Sequence, residues 1–197
     1  MPKRVDQDQR RRAIAEAVFA VIGDRGFGAV SLRDVASAAG VSMGSVQHYF
    51  ATKDEMLAFT LQYLRERVLY RLQVALALLA DPSPRERIRT GLQMMLPLDE
   101  PSRQEAQVNI AFFSAATVTT AYADLLRDGY AQLLDITREQ LREAAASGQI
   151  VAGADPDRDA AALFFTARGL IGPVLIGLFT PADALALLDH QLARIFR

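Results

Sequence analysis

Apolar residues recur at helical spacing along the chain, and no segment alternates as a strand would. Ile14, Ala17, Val18, Val21 and Ile22 share one face of a helix from about Gln7 to Arg25, with Gly26 as its stop. Ser31, with Asp34 three residues later, opens a short second helix that ends at Gly40. Ser42 caps a third, from Met43 to about Tyr49. Thr52 and Glu55 repeat the opening signal for a long fourth helix with Leu57, Leu61, Leu64, Val68, Leu72, Ala75 and Leu79 on one stripe. Asp81-Pro82 ends it, so it spans about 28 residues and roughly 40 Å, enough to join two domains.

Three further helices are expected near Pro84–Leu96, Pro101–Val118 and Ala121–Ser147, the last closed by Gly148. Asp155-Pro156 opens another, to about Leu178, and Thr180-Pro181 with Asp183 opens the last. Leu185, Leu188, Leu192 and Ile195 mark the inner stripe of that final helix. The pattern gives an all-α fold of about nine helices without internal repeats.

Composition agrees with this and removes several chemistries. Half of the 197 residues are hydrophobic (51%) and 23% are charged, the balance of a folded domain rather than a disordered one. Cysteine is absent, which excludes disulfides, thiolate metal sites and a cysteine nucleophile. His48 and His190 are the only histidines and lie far apart, so a zinc enzyme or a Ser-His-Asp hydrolase is poorly supplied. No Gly-rich phosphate loop appears, and neither an enzyme nor a cofactor is expected. The most apolar run, Gly169 to Phe179, is too short to cross a bilayer, and Arg168 and Asp159 precede it. No signal-peptide pattern follows the basic start, so the expected location is the cytoplasm.

The net charge of −1 says little, but its distribution says more. Residues 1–53 hold eight Lys/Arg against five acids, and the remainder holds 14 against 18. A basic head on an acidic body suggests two jobs, although ordinary fluctuation between halves produces the same split.

The informative stretch is Leu32 to Phe50, LRDVASAAGVSMGSVQHYF. A helix-turn-helix needs a small residue where its helices cross, a residue tolerant of positive φ in the turn, and an apolar residue pointing back from the second helix. Ala36, Gly40 and Val46 stand at those positions, and Val35, Ala39 and Val41 complete the core. At 100° per residue, Val46 and Phe50 point inward. Gly44, Ser45 and His48 then point out, flanked by Gln47 and Tyr49. Gly44 lets the backbone approach a groove. Ser45 and Tyr49 hydroxyls suit phosphates, while Gln47 and His48 suit base edges. Arg33 and Ser37 share the outward side of the preceding helix, and Arg33 suits a phosphate or a guanine edge; Lys53 adds a phosphate charge at the start of the long helix, whose backbone N–H groups add more, and Ser42, the cap of the motif's second helix, completes the DNA-binding candidates. Two short helices around a glycine also occur in many all-α proteins without any DNA role.

Arg12 to Leu57 resembles the N-terminal DNA-binding domain of the TetR family of bacterial transcriptional regulators. The matching pieces lie in FGAVSLRDVASAAGVSMGSVQHYFATKDEML, Phe27 to Leu57. They are the Ser31–Ala36 start, the Gly40-Val41-Ser42 turn, and the aromatic end Tyr49-Phe50 with Lys53. Gln47 and His48 stand where aromatic residues are frequent, and Ser45 where Thr is common. Those departures bear on the operator sequence rather than on the binding mode. The C-terminal half, with LPLDEPSRQEAQVNIAFFSAA, resembles the BetI-like branch.

The resemblance implies a helix-turn-helix DNA-binding domain over residues 1–52 and a larger effector-binding and dimerisation domain over 53–197. It implies a homodimer that reads a palindromic operator and, most often, a repressor that a small molecule releases. The alternative is a helical protein–protein adaptor that binds no DNA.

In the body, Leu163, Phe164, Ala167, Leu170, Ile171, Val174, Leu175 and Leu178 make one broad apolar face, and Gly169, Gly172 and Gly177 permit close helix approach. With the final stripe they suit either a four-helix bundle across a two-fold axis or an intramolecular core. Phe59, Tyr63, Met94, Asn109, Phe112, Phe113, Tyr130, Phe165 and Arg168 are candidates to line an apolar effector cavity with few polar contacts. Aromatic and Met residues at such spacing serve cores just as well. Arg10, Arg11 and Arg12 have two open readings, reaching the minor groove or forming a solvated end.

Overall fold

A computed structural model describes the backbone of residues 2–197 and the side chains from residue 7 onward. Among these residues the elements are α1 (Pro2–Arg25), a 3-10 turn (Phe27–Ala29), α2 (Leu32–Ala38), α3 (Met43–Tyr49), α4 (Lys53–Ala77), α5 (Pro84–Gln93), α6 (Glu100–Ala116), α7 (Thr120–Ala146), α8 (Pro156–Leu175) and α9 (Pro181–Ile195). The only β pairing among them is one isolated antiparallel bridge between Ile150 and Phe196.

Close packing divides the chain into two units. The first runs through Arg67 and takes in Gln107–Leu126; the second comprises Val68–Ala106 and Arg127–Arg197. In the first, α1 packs on α2 and α3, and α2 on α3. Val18, Phe19, Val35, Val46, Phe50, Met56 and Leu57 are fully buried. Each such side chain removed from water contributes about 1.5–3 kcal/mol. Phe27, Phe112 and Tyr122 meet edge to face, with centroids 5.1–6.0 Å apart. The Tyr122 hydroxyl donates to Asp54 at 2.6 Å.

In the second unit α8 packs on α9, and α5 on both. One cluster gathers Ile88, Leu92, Leu141, Leu163, Ala167, Leu188 and Leu192; another gathers Leu96, Leu170, Val174 and Ala184. Most of the broad apolar face of α8 is therefore buried within the chain; Leu175 is half-buried, and Leu178, past the end of the helix, is exposed. Among its apolar and small residues α8 leaves a different set exposed, Ala162, Phe165 and Gly169, and Ile176 is exposed at its C-cap.

The expected caps at Ser31, Ser42, Asp155 and Thr180 form, Ser83 adds one not expected, and α1 begins at Pro2, ahead of Gln7. Ser31, Ser42, Ser83, Asp155 and Thr180 each accept backbone N–H groups of the first turn. Some ends come earlier than the apolar pattern predicts. Helix α4 stops at Ala77, because Leu78 and Leu79 are exposed and nothing rewards continuing the stripe. Helix α8 stops at Leu175, since Gly177 adopts φ +76. Its N–H donates to Val174 O, and the Leu178 N–H donates to Pro173 O. That double bond pattern is a helix-terminating motif, so Gly177 closes α8 rather than admitting a neighbouring helix.

Candidate nucleic-acid interface

The turn between α2 and α3 is built by the same termination motif. Gly40, at φ +66, donates to Ser37 O, and Val41 donates to Ala36 O. An L residue resists this left-handed geometry. Ser42 then caps α3 by accepting the Ser45 N–H at 3.1 Å. Val46 and Phe50 anchor the inner side of α3, both 1% exposed or less.

The opposite side is open. Ser42, Met43, Gly44, Gln47 and His48 are exposed, and Ser45 and Tyr49 are half-buried. The His48 and Tyr49 rings meet edge to face, 5.1 Å apart. On α2, Arg33 and Ser37 are exposed. Asp34 accepts from the Ser31 hydroxyl and from Arg25, and these bonds hold its carboxyl below the usual range. Arg25 is thereby engaged with a carboxylate. Lys53 stands half-buried at the first position of α4, and Thr52 caps that helix through the Glu55 N–H. The open side of α3 thus carries hydroxyls, an amide and an imidazole over the buried Val46 and Phe50, and the flanking helices supply the cations Arg33 and Lys53. That suits phosphate contacts for position and base-edge contacts for sequence.

The effector candidates fall into both units. Phe59, Tyr63, Asn109, Phe112 and Phe113 belong to the first; Met94, Tyr130, Phe165 and Arg168 belong to the second. Phe112 is fully buried, whereas Phe113 is 49% exposed. Phe59 stacks on Tyr63, whose hydroxyl donates to Glu16 at 2.7 Å. Burial and that carboxylate push the Tyr63 phenol up to about 12. The Met94 carbonyl accepts from Arg71. Arg168 lies over the Tyr130 ring at 4.3 Å, and burial lowers its pKa. Tyr130 meets Phe164, which meets Phe165, itself 62% exposed.

Comparison with known proteins decides what this architecture is. Residues 14–58 match the model for bacterial regulatory proteins of the tetR family, and residues 84–197 match the model for the C-terminal domain of BetI-type transcriptional repressors. The chain belongs to the TetR family. Its members are transcriptional regulators that bind DNA through the helix-turn-helix, rather than enzymes.

The HTH-type transcriptional regulator PksA of Bacillus subtilis is 34% identical over 86% of this chain and 80% of its own length. The BetI regulator of Rhizobium meliloti is 33% identical over 59% of this chain and 56% of its own. Among solved structures, a transcriptional regulator from Rhodococcus sp. Rha1 superposes with a TM-score of 0.82 at 30% identity, covering 94% of this chain and 95% of that one. A regulator from Saccharomonospora viridis in complex with choline shares the fold with a TM-score of 0.86 at 24% identity, covering 96% and 99%. Among the described residues of this TetR-family chain, no helix is long and apolar enough to cross a membrane.

Two features of this TetR-family face escape the sequence. Met43, 45% exposed at the start of α3, adds an apolar group suited to a thymine methyl. Its place at the first helical turn is legible, but its outward direction follows from the cap geometry at Ser42. The second is the basic cluster of α1. Arg11 pairs with Glu55 at 3.7 Å and Arg12 with Glu66 at 3.6 Å. Both turn toward α4, and Arg12 stays exposed as it does so.

Proposed function

We propose that the chain is a repressor that binds a palindromic operator as a homodimer and is released by a small-molecule effector, acting in the cytoplasm. The observation that carries the reading is the open face of α3, polar outside and anchored by Val46 and Phe50 inside. Residues 1–52 serve as the DNA-binding domain. Arg33, Ser42, Ser45, Tyr49 and Lys53 contact phosphates, Gly44 admits the backbone, and Gln47 and His48 read bases.

The dimer forms through α8 and α9, within an effector-binding and dimerisation domain over 53–197. In its support, α8 leaves Ala162 and Gly169 exposed, its C-cap leaves Ile176 exposed, and α9 leaves Ala182, Ala186 and Ala193 exposed. Small residues let helices approach closely, and a two-fold axis makes one such patch meet its own copy. Two recognition helices about 34 Å apart then enter successive major grooves. Tyr130, Phe165 and Arg168 contact the effector. A molecule that prefers a state with the helices wrongly spaced weakens DNA binding by its differential affinity.

The test is selection of bound sites from random duplexes with the full chain. A palindromic site with strongly salt-dependent affinity is expected. Lys53→Ala should weaken binding on all sequences and reduce the salt slope by about 1, while Gln47→Ala and His48→Ala should shift base preference. No enrichment, or affinity indifferent to salt, would leave the protein-adaptor reading in its place.

A further inference from the structure

Arg11 makes contacts unlike those of an arginine held ready for DNA. Its guanidinium lies over two rings at once, 4.7 Å from the centroid of Phe50 and 4.4 Å from that of Phe59. Its Nη2 stands 3.7 Å from a Glu55 oxygen, and its Nε is buried with no hydrogen-bond partner among the described residues. A phosphate-binding arginine keeps its donors open to solvent; this one has a donor withdrawn against the protein.

Its partners bracket one short link. Phe50 is the C-cap of α3, with extended φ −140 and its N–H on Val46 O. Glu55 sits in the first turn of α4. One of its oxygens accepts the Ala51 N–H at 2.9 Å, while its own N–H goes to the Thr52 hydroxyl. Residues 50–52 are thus held by Phe50 on one side and Glu55 on the other, and Arg11 touches both. Side chains read bases only when their helix is correctly seated; α1 and α2 pack against α3, and the α3–α4 link fixes its C-terminal end at Phe50.

We propose that Arg11 is a positioning residue for DNA recognition: it holds the α3–α4 link through Phe50, Phe59 and Glu55 and does not itself touch DNA. The role rests on the reading of α3 as the DNA-contacting face. The exposed ion pair alone would contribute little. The two ring faces supply the rest, and they need the flat guanidinium. Lysine does not reproduce that surface.

The test uses the full-length chain, the operator selected with the wild type, and affinity measured across a salt series. Arg11→Ala, Arg11→Lys and Glu55→Ala should each lower affinity on the order of tenfold, with the salt slope unchanged. Arg11→Ala combined with Glu55→Ala should lose little more than either alone. A direct phosphate contact makes opposite demands: Arg11→Ala lowers the salt slope by about 1, and Arg11→Lys binds nearly as well as wild type. Glu55→Ala then tightens binding, because an acid facing a polyanion has gone. That pattern overturns the proposal. So does a variant that melts earlier while its folded fraction binds like wild type, which is a purely structural role. A wild type that enriches no duplex removes the DNA-contacting face itself rather than this role alone.

Discussion

The two units are held together by different means. In the first, polar groups are woven through the packing: Arg11 with Glu55, Glu16 with Tyr63 and Arg67, Arg25 with Asp34, and Tyr122 with Asp54. Aromatic rings fill the spaces between them. In the second, aliphatic side chains from α5, α7, α8 and α9 form the clusters, and most ion pairs lie outside them, as Arg89 with Asp189 does; the exception is Arg71 with the buried Glu105. The contrast follows from what each must leave outside. Helix α3 has seven residues and buries only Val46, so its neighbours must fix its orientation with directional contacts. Helix α8 has 20 residues and buries seven, and that area supplies most of its hold, with Arg103 donating to Leu175 O and Arg142 pairing with Asp157 beside it.

The contrast is broken most severely at Phe112. Its ring fills the triad with Phe27 and Tyr122, so Phe112→Ala should destabilise the first unit by roughly 3–5 kcal/mol. The next residue, Phe113, is half-exposed, and Phe113→Ala should cost under about 1 kcal/mol. Urea unfolding followed by circular dichroism measures both. Equal losses would mean that the aromatic triad does not stabilise the unit.

How much of this was legible in the sequence depends on how local each cause is. The caps at Ser31, Ser42, Asp155 and Thr180 act within three residues and are read directly; the capping box of Ser83 with Glu86 is equally local but is not among those expected. So can Gly40, because a left-handed turn residue is needed wherever two helices meet so closely. Helix ends at Ala77 and Leu175 are harder, since periodicity continues past both. Burial fails beyond Ala77, and Gly177 terminates α8 after Leu175. The partners of Arg11, Arg12, Tyr63 and Tyr122 lie 44 to 68 residues away in sequence, and no spacing rule reaches that far. The outward face of α3 is legible because its inward face is. The candidate effector residues are not, because a buried aromatic such as Phe112 and an exposed one such as Phe165 look alike in a sequence.

Two glycines sharpen the comparison inside the first unit. At Gly40, with φ +66, Ala should cost about 1–2 kcal/mol and disturb α3 as well. At Gly44, inside α3, an added Cβ meets only the Ser42 Oγ, at an ordinary 3.9 Å. Gly44→Ala should therefore stabilise the fold slightly, by about 0.5 kcal/mol, through helix propensity. If the backbone of α3 approaches a groove there, the same change should weaken operator binding. Melting temperature and affinity would then move in opposite senses. A Gly44→Ala chain that is both more stable and equally tight would show that the approach is not close at this position.

The smallest expected effect compares one capping pair from each unit. Asp34 accepts from Ser31 and Arg25, and Asp183 accepts from the Thr180 hydroxyl at 2.6 Å and its N–H at 3.0 Å. Both carboxyls are held below their ordinary value of 3.8, each chiefly by its capping hydroxyl. A depressed carboxyl stabilises the folded state above its unfolded pKa, and that contribution disappears as pH falls through the folded value. Protection of the Asp34 and Asp183 amides against hydrogen exchange should therefore drop below about pH 4 in both units. Thr180→Ala should flatten the acid response at Asp183 and leave that at Asp34 unchanged. Arg25→Ala should act only at Asp34, and only in part, because Ser31 keeps its bond. An Arg25 change that also altered Asp183 would mean that the two units unfold as one, and their different construction would then not give them separate stabilities.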